Sequence, residues 1–250
     1  MQIVIPSAGR AGQVASLEWC PPDTRLIVPT KERCEYARVY PDYEVVPCPV
    51  RGIAPTRQWI VDNTEDRYVF MVDDDLVFFE RQPDLKLTRL GDPTPMWQTV
   101  EEQFLAGFPH VAISIRLGNN RVPTEFKDCT NVCDLWGVDR HVLRKHGIRL
   151  DRTPVMEDYQ CVLSLLTLGY HTRVLYNWAA NGKNARNAKG GCSTWRTAQV
   201  QEEGANLLKA MFPEFVTIVH KQTKTGWFEG ERTDVRIAWK KAADSANYLR

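Results

Sequence analysis

The sequence predicts an α/β fold built on one mainly parallel sheet with helices on both faces. Three observations carry that expectation. Four short apolar, β-branched runs, "IVIP" (3–6), "RLIVP" (25–29), "YEVVPCP" (43–49) and "RYVFMV" (67–72), fall in the first third of the chain. They are nearly continuous rather than alternating, as strands covered on both faces are. A helix-spaced segment, "TRQWIVDN" (56–63), lies between the third and fourth of them, and short connections with interleaved helices mark a parallel sheet. Finally, 250 residues with 43% hydrophobic and 25% charged side chains suffice for a single domain with a sizeable core. One domain over 1–250 is expected, with 1–110 and 111–250 as its two functional halves.

The elements follow in order. "IVIP" stops at Pro6 and runs into the turn set Ser7, Gly9 and Gly12. Pro55 suits the first turn of the 56–63 helix. A mixed segment (80–100) leads to a helix near 97–107, and "HVAISIR" (110–116) is another strand. "DRHVLRKHG" (139–147) reads as a helix closed by Gly147, and "MEDYQCVLSLLTLGY" (156–170) as a longer one closed by Gly169. "HTRVLYN" (171–177) is again a strand. A Gly/Asn/Lys-rich loop (181–194), an amphipathic helix (about 196–211), "FVTIVHK" (215–221) and a strand-like "DVRIAWKK" (234–241) complete the chain. There is no internal repeat, low-complexity tract or clear linker.

No run is long and apolar enough to span a bilayer. The opening "MQIVIPSAGR" lacks the basic lead of a signal peptide. Seven scattered cysteines, without a C-x-x-C pair or zinc spacing, read as reduced thiols of a cytoplasmic protein, monomeric or weakly dimeric. The net charge of +1 conceals an asymmetry. Residues 1–139 hold 14 Lys/Arg against 21 Asp/Glu, a balance of −7; residues 140–250 hold 18 against 10, a balance of +8. Such polarity fits a polyanionic partner on the C-terminal side, and equally fits solvated helix faces.

In "YVFMVDDDLVFF" (68–79) an apolar strand runs straight into Asp73, Asp74 and Asp75. In parallel sheets, ligands bind beyond the carboxyl ends of the strands. If the strand continues, Asp73 and Asp75 share a side and Asp74 faces away. Two carboxylates about 4 Å apart repel by roughly 4 kcal/mol at an effective dielectric of about 20. Either one takes a proton or a cation sits between them. Mg²⁺ or Mn²⁺ binds in this way, through one or two carboxylates plus substrate phosphates. A solvated acidic loop tip is the alternative, and the position after a buried strand argues against it.

These residues, with "VIPSAGR" (4–10), "GIAPTRQWIV" (52–61) and "MEDYQCVLSLLTLGYHTRVL" (156–175), resemble the nucleotide-sugar glycosyltransferases of the GT-A fold. The resemblance spans about residues 1–178 in that family's order. The "GGCSTWR" and "FVTIVHK" segments and the compact size are similar to the phage-type, TET-associated glycosyltransferases, thought to glycosylate hydroxymethylated pyrimidines in DNA. The resemblance implies a Rossmann-like sheet with a C-terminal acceptor-side extension. It also implies a nucleotide-sugar donor, with UDP the usual nucleotide, and a D-x-D metal site. Asp73 and Asp75 would hold the ion, with His220 of "TIVHKQ" as a C-terminal ligand, and Asp73 or Asp74 would reach the ribose. Pro6, Ser7 and the glycine turn would let backbone approach the nucleotide. Arg10 and Arg57 would contact phosphate or base, as guanidinium suits bidentate phosphate recognition.

Glu157 and Asp158 open an apolar helix. Acids there complement the helix dipole, and the resemblance adds a catalytic base. Asp158 is the first choice and Glu157 the second; Asp158 as base implies inversion. On the acceptor side, Lys183, Arg186, Lys189 and Arg196 cluster with Trp195. Basic groups contact phosphates and aromatic rings stack on unstacked bases. An ordinary basic loop with structural tryptophans is the alternative. Three competing functions remain open on sequence: the same fold acting on a glycan, lipid or protein; a nucleotidyltransferase; and a non-catalytic DNA-binding module.

Overall fold

The computed structural model describes residues 1–182, 195–223 and 230–246. Ten strands form one sheet and two more a separate hairpin. The sheet begins with β1 (Gln2–Pro6), β2 (Arg25–Pro29), β3 (Glu44–Cys48) and β4 (Tyr68–Val72). These four lie in the order β3-β2-β1-β4, all parallel, as expected from their apolar runs. Beyond β4 the sheet is mixed. β9 (Leu135–Asp139) is antiparallel to both β4 and β7 (His110–Ile115). β10 (Arg173–Gly182) is parallel to β7, while β5 (Leu76–Arg81), β6 (Leu87–Arg89) and β8 (Phe126–Asp128) add antiparallel pairings.

Strand alternation divides the core into two layers. Ile3, Ile5, Leu26, Val28, Phe70 and Val72 point to one face. They meet Tyr36 of α1 (Arg33–Val39) and Met96, Trp97, Val100 and Phe104 of α3 (Thr94–Leu105). Val4, Ile27, Val69 and Met71 point to the other face. There they meet Ile60 and Val61 of α2 (Ile53–Asn63), Leu143 of α4 (Arg140–Lys145) and Cys161 and Leu165 of α5 (Glu157–Thr167). The far side of α5, through Val162, Leu163 and Leu166, carries a third cluster. It includes Ala205 and Leu208 of α6 (Ala198–Met211), Val216 of β11 (Val216–Thr223), Val235 of β12 (Gly230–Ile237) and Ala242 of α7 (Trp239–Ser245).

Two close approaches fix this architecture. Gly137 of β9 lies against β4 so tightly that a Cβ would stand 2.5 Å from Phe70 Cδ2 and 2.7 Å from the Val69 carbonyl oxygen. The link from β4 to β5 is only residues 73–75, and four Cα steps reach at most about 14 Å. Yet β9, β7 and β10 stand between β4 and β5 along the sheet. At about 4.8 Å per strand a flat sheet would separate them by more than the link can span. The sheet therefore curls, and Asp73–Asp75 bridge the mouth of the curl. The irregularity in β10 between Leu175 and Ala179 accommodates the bend.

Some expectations change. The 234–241 segment is strand only to Ile237, and Trp239 starts α7. The 80–100 segment contains the end of β5 and all of β6, the hairpin partner of β5. β8, β9 and α1 had no sequence counterpart; β9 is five buried residues, too short for a periodic signal. The six cysteines among the described residues are all unpaired, as expected.

Candidate active site

β1 ends at Pro6, and the following turn places Ser7 and Arg10 above the carboxyl end of β4. Positive φ at Gly9 and Gly12 lets this turn close. The Ser7 hydroxyl donates to Asp74 Oδ2 at 2.5 Å and lies 2.8 Å from the Tyr36 hydroxyl. Arg10 Nη1 donates to Asp74 Oδ1 and, at 3.2 Å, to Asp75 Oδ2. The Arg10 and Gly9 amides are held by the Tyr36 hydroxyl (3.0 Å) and Glu32 Oε2 (2.7 Å).

The acid triplet differs from a continued strand. β4 ends at Val72 and the next residues turn. Asp74 and Asp75 therefore share Arg10, whereas Asp73 turns to Arg57, whose Nη2 donates to Asp73 Oδ1 at 2.8 Å. The alternation of an extended chain stops one residue too early to set these directions. The backbone of the turn is fixed in turn: Asp73 N–H donates to the Asp134 carbonyl (3.1 Å), and the Ser16 hydroxyl donates to the Asp73 carbonyl (2.5 Å).

Arg57, on α2, is 3% exposed. Besides Asp73 it donates from Nη1 to Glu157 Oε1 at 2.5 Å and lies over the Trp136 ring at 5.1 Å. It joins the acid triplet to the start of α5. That helix begins after Met156, whose φ of 69° kinks the chain and sets Glu157 and Asp158 inward, 3% and 5% exposed. Glu157 is engaged by Arg57. Asp158 instead accepts from Asn131 Nδ2 at 2.7 Å. Burial, reinforced by the charge of Glu157, pushes the Asp158 carboxyl up to about 6 against the pull of Arg57 and Asn131.

The site holds an excess of negative charge. Desolvation pushes the Asp73 carboxyl well above its ordinary value, although 35% of its side chain meets solvent, and Asp134, Asp75 and Asp74 push the same way against Arg57. Asp74 is also raised, by burial first and by Asp75, against Ser7 and Arg10. Two guanidiniums face Asp73, Asp74, Asp75, Asp134, Glu157 and Asp158. Among the described residues no three His, Cys, Asp or Glu side chains form a ready-made metal cage. Hard oxygen donors in negative excess, short of a full coordination shell, fit a divalent ion completed by a ligand's phosphates.

The structure thus brings Ser7, Arg10, Arg57, Asp73, Asp74, Asp75, Glu157 and Asp158 together, with Pro6 at the strand end beneath them. Arg10 and Arg57 are held on acids rather than offered to open solvent. His220 is exposed on β11 and faces Glu231 of β12, Nδ1 to Oε1 3.4 Å. Trp195 packs in the third cluster, its ring 3.9 Å from where a Gly52 Cβ would stand. Arg196 donates twice to Gln201 Oε1, at 3.0 and 2.7 Å. Lys183, Arg186 and Lys189 lie outside the described residues. Sequence reasoning missed Asp134, Asn131 and Tyr36; the "NVCDLWGVD" segment preceding and forming β9 was the available signal for the first two.

The family model described as TET-associated glycosyltransferase matches residues 1–191. A protein of Enterobacteria phage T6, β-glucosyl-HMC-α-glucosyl-transferase, is 26% identical over 242 residues, covering 86% of this chain and 82% of its own. Its namesake from phage T2 is 25% identical with the same coverage. Among solved structures, residues 1–349 of S. aureus TarS in complex with UDP-GlcNAc match with a TM-score of 0.53 at 11% identity. That match covers 84% of this chain and 67% of TarS, a likeness of fold.

Proposed function

Because the chain belongs to the TET-associated glycosyltransferases, we propose that it moves a sugar from a nucleotide donor, UDP-sugar foremost, to the hydroxymethyl group of 5-hydroxymethylcytosine or 5-hydroxymethyluracil in DNA. The observation that carries the chemistry is the linkage of the acid triplet to Asp158 through Arg57 and Glu157. It sets a donor site and a proton acceptor on one rigid frame.

The acceptor oxygen attacks the anomeric carbon while the bond from that carbon to the diphosphate oxygen breaks. The nucleoside diphosphate leaves with the electron pair, and the hydroxyl proton passes to Asp158. A base is most effective when its pKa lies near working pH, and a carboxyl at about 6 meets that condition. Asn131 fixes the rotamer of Asp158, and Arg57 keeps Glu157 from competing for the proton. If the acceptor attacks from the face opposite the diphosphate, the anomeric centre inverts. Asp73 and Asp75 would hold Mg²⁺ or Mn²⁺, which when bound supplies Lewis-acid stabilisation of the departing diphosphate. Arg10 holds Asp75 and Asp74 in place for that task. Lys183, Arg186, Lys189, Trp195 and Arg196 serve the acceptor strand in this reading, supported by the basic balance of the C-terminal half.

The names of the phage relatives support the DNA acceptor. They also favour a second reading, in which the attacked hydroxyl belongs to a sugar already carried by the base. No described helix is long and apolar enough to cross a membrane, and the family match sets aside the nucleotidyltransferase and the non-catalytic binder. The test incubates the protein with Mn²⁺, a panel of sugar nucleotides, and DNA containing hydroxymethylcytosine, hydroxymethyluracil or β-glucosylated hydroxymethylcytosine. The nucleosides are weighed after digestion. One added sugar on a hydroxymethyl base supports the first reading, and addition only to the glucosylated base supports the second. No mass shift on any substrate rejects both.

A further inference from the structure

Leu117, in the turn after β7, has the most exposed large apolar side chain among the described residues, at 81%. A single exposed leucine is ordinary; its setting is not. The turn is pinned from both sides. Buried Asn119 donates through Nδ2 to Ser114 Oγ (2.6 Å) and to the Tyr176 carbonyl (2.9 Å). Arg81 donates to the carbonyls of Val122 (2.6 Å) and Thr124 (2.7 Å). Gly118, at φ 85°, makes the sharp reversal that leaves Leu117 at the tip.

The flanks of the tip are cationic. Arg116 and Arg121 are both exposed and, among the described residues, neither faces a carboxylate; the Arg116 guanidinium lies 4.6 Å from the Phe79 ring centroid. Together with Lys86, which pairs with Asp84 at 2.7 Å, they line an open cleft of about 790 Å³.

One end of the cleft, at Asn181, lies beside the strand that leaves the acid triplet. β9 is antiparallel to both β4 and β7, so the latter two point the same way and their carboxyl ends share an edge. Asn181 lines the cleft and pairs with Val77; its neighbour Gly182 pairs with Leu76, the residue after Asp75.

In a duplex the hydroxymethyl group of a stacked pyrimidine is offered only through the major groove, and enzymes with recessed sites turn the target base out of the stack to reach it. Proteins that open base steps insert an apolar wedge and hold the flanking phosphates with arginine or lysine. Resting on the proposed function, we propose that Leu117 is the wedge that enters duplex DNA beside the target base, with Arg116 and Arg121 on the flanking phosphates.

The test compares wild type, Leu117→Ala and Leu117→Phe on the same hydroxymethylated sequence as duplex and as single strand. Leu117→Ala should lose at least tenfold in transfer to duplex, with single-strand transfer and donor KM unchanged, and Leu117→Phe should retain duplex transfer. Arg116→Ala with Arg121→Ala should flatten the slope of log affinity against log salt by about two. A 2-aminopurine beside the target base should brighten with wild type and not with Leu117→Ala. Equal duplex transfer and equal brightening by wild type and Leu117→Ala overturn the wedge while the proposed function stands. A wild-type protein inert on both substrates overturns the function, and the wedge with it.

Discussion

Arg57 and Glu157, one hundred residues apart in sequence, are joined guanidinium to carboxylate at 2.5 Å with both side chains 4% exposed. The pair engages Glu157, while the adjacent Asp158 is held by Asn131 instead.

Removing Arg57 strands Glu157 and Asp73 without their cation. Breaking a buried ion pair from one side costs about 3–5 kcal/mol. Arg57→Met should lower the urea midpoint at neutral pH by a matching amount. Arg57→Met with Glu157→Met should recover much of it, since the fully buried charge of Glu157 is then gone and only Asp73, 35% exposed, is left without its cation. Equal loss in both variants would show that packing over Trp136, and not the ion pair, carries the stability.

Asp75 should be separable from the fold. Its side chain is 22% exposed and Arg10 keeps Asp74 without it. Asp75→Ala should fold normally, lose turnover and lose metal-dependent donor binding in calorimetry. Retained activity would remove the ion from the chemistry. Asp74→Ala, in contrast, takes the Asp74 acceptor from Ser7 and leaves Arg10 with Asp75 alone, and should destabilise the protein by about 1–3 kcal/mol.

The elevated Asp158 carboxyl gives activity and stability opposite pH dependences. As a base it works deprotonated, so kcat/KM should fall tenfold per pH unit below about 6 and level off above it. For stability the sign reverses. A carboxyl raised in the folded state favours folding when protonated; that contribution is complete below the ordinary carboxylate pKa of 3.8 and is lost as pH rises through about 6. The shift amounts to about 3 kcal/mol. Asp158→Asn should therefore be inactive yet more stable than wild type at pH 8, and the advantage should vanish below pH ~4. A wild-type melting curve flat between pH 4 and 8 would contradict this.

Gly137→Ala tests the packing under the acids. Its Cβ would press on Phe70 and the Val69 carbonyl, and overpacking of this kind costs about 1–3 kcal/mol. The strand displaced is β4, so donor binding should weaken alongside the thermal midpoint. Loss of stability with unchanged donor affinity would mean that β9 gives way instead.

Much of this was legible in the chain. Apolar runs announced the four parallel strands, and the passage from Val72 into three aspartates pointed to the cluster that Ser7, Arg10 and Arg57 complete. Glu157 and Asp158, at the head of an apolar helix, were visible as a pair. What they touch was not. Arg57 reads as a first-turn residue on a short helix, and only tertiary contact shows that it is buried between acids. The directions of Asp73, Asp74 and Asp75 depended on where β4 stops, a boundary that propensity locates only to within a few residues. β9, with Asp134 just ahead of it, is silent because five residues with a glycine at their centre carry too little pattern.

The three aspartates are also a ruler. Because they alone connect strands on opposite lips of a curled sheet, their number is set by distance as much as by chemistry. An extra residue there would slide Leu76 off Gly182 and invert β5 face for face, carrying Phe78 out of its aromatic stack with Trp19. Substitutions in this segment change the charge it carries, whereas insertions and deletions decide whether β5 can still pair with β10 in register.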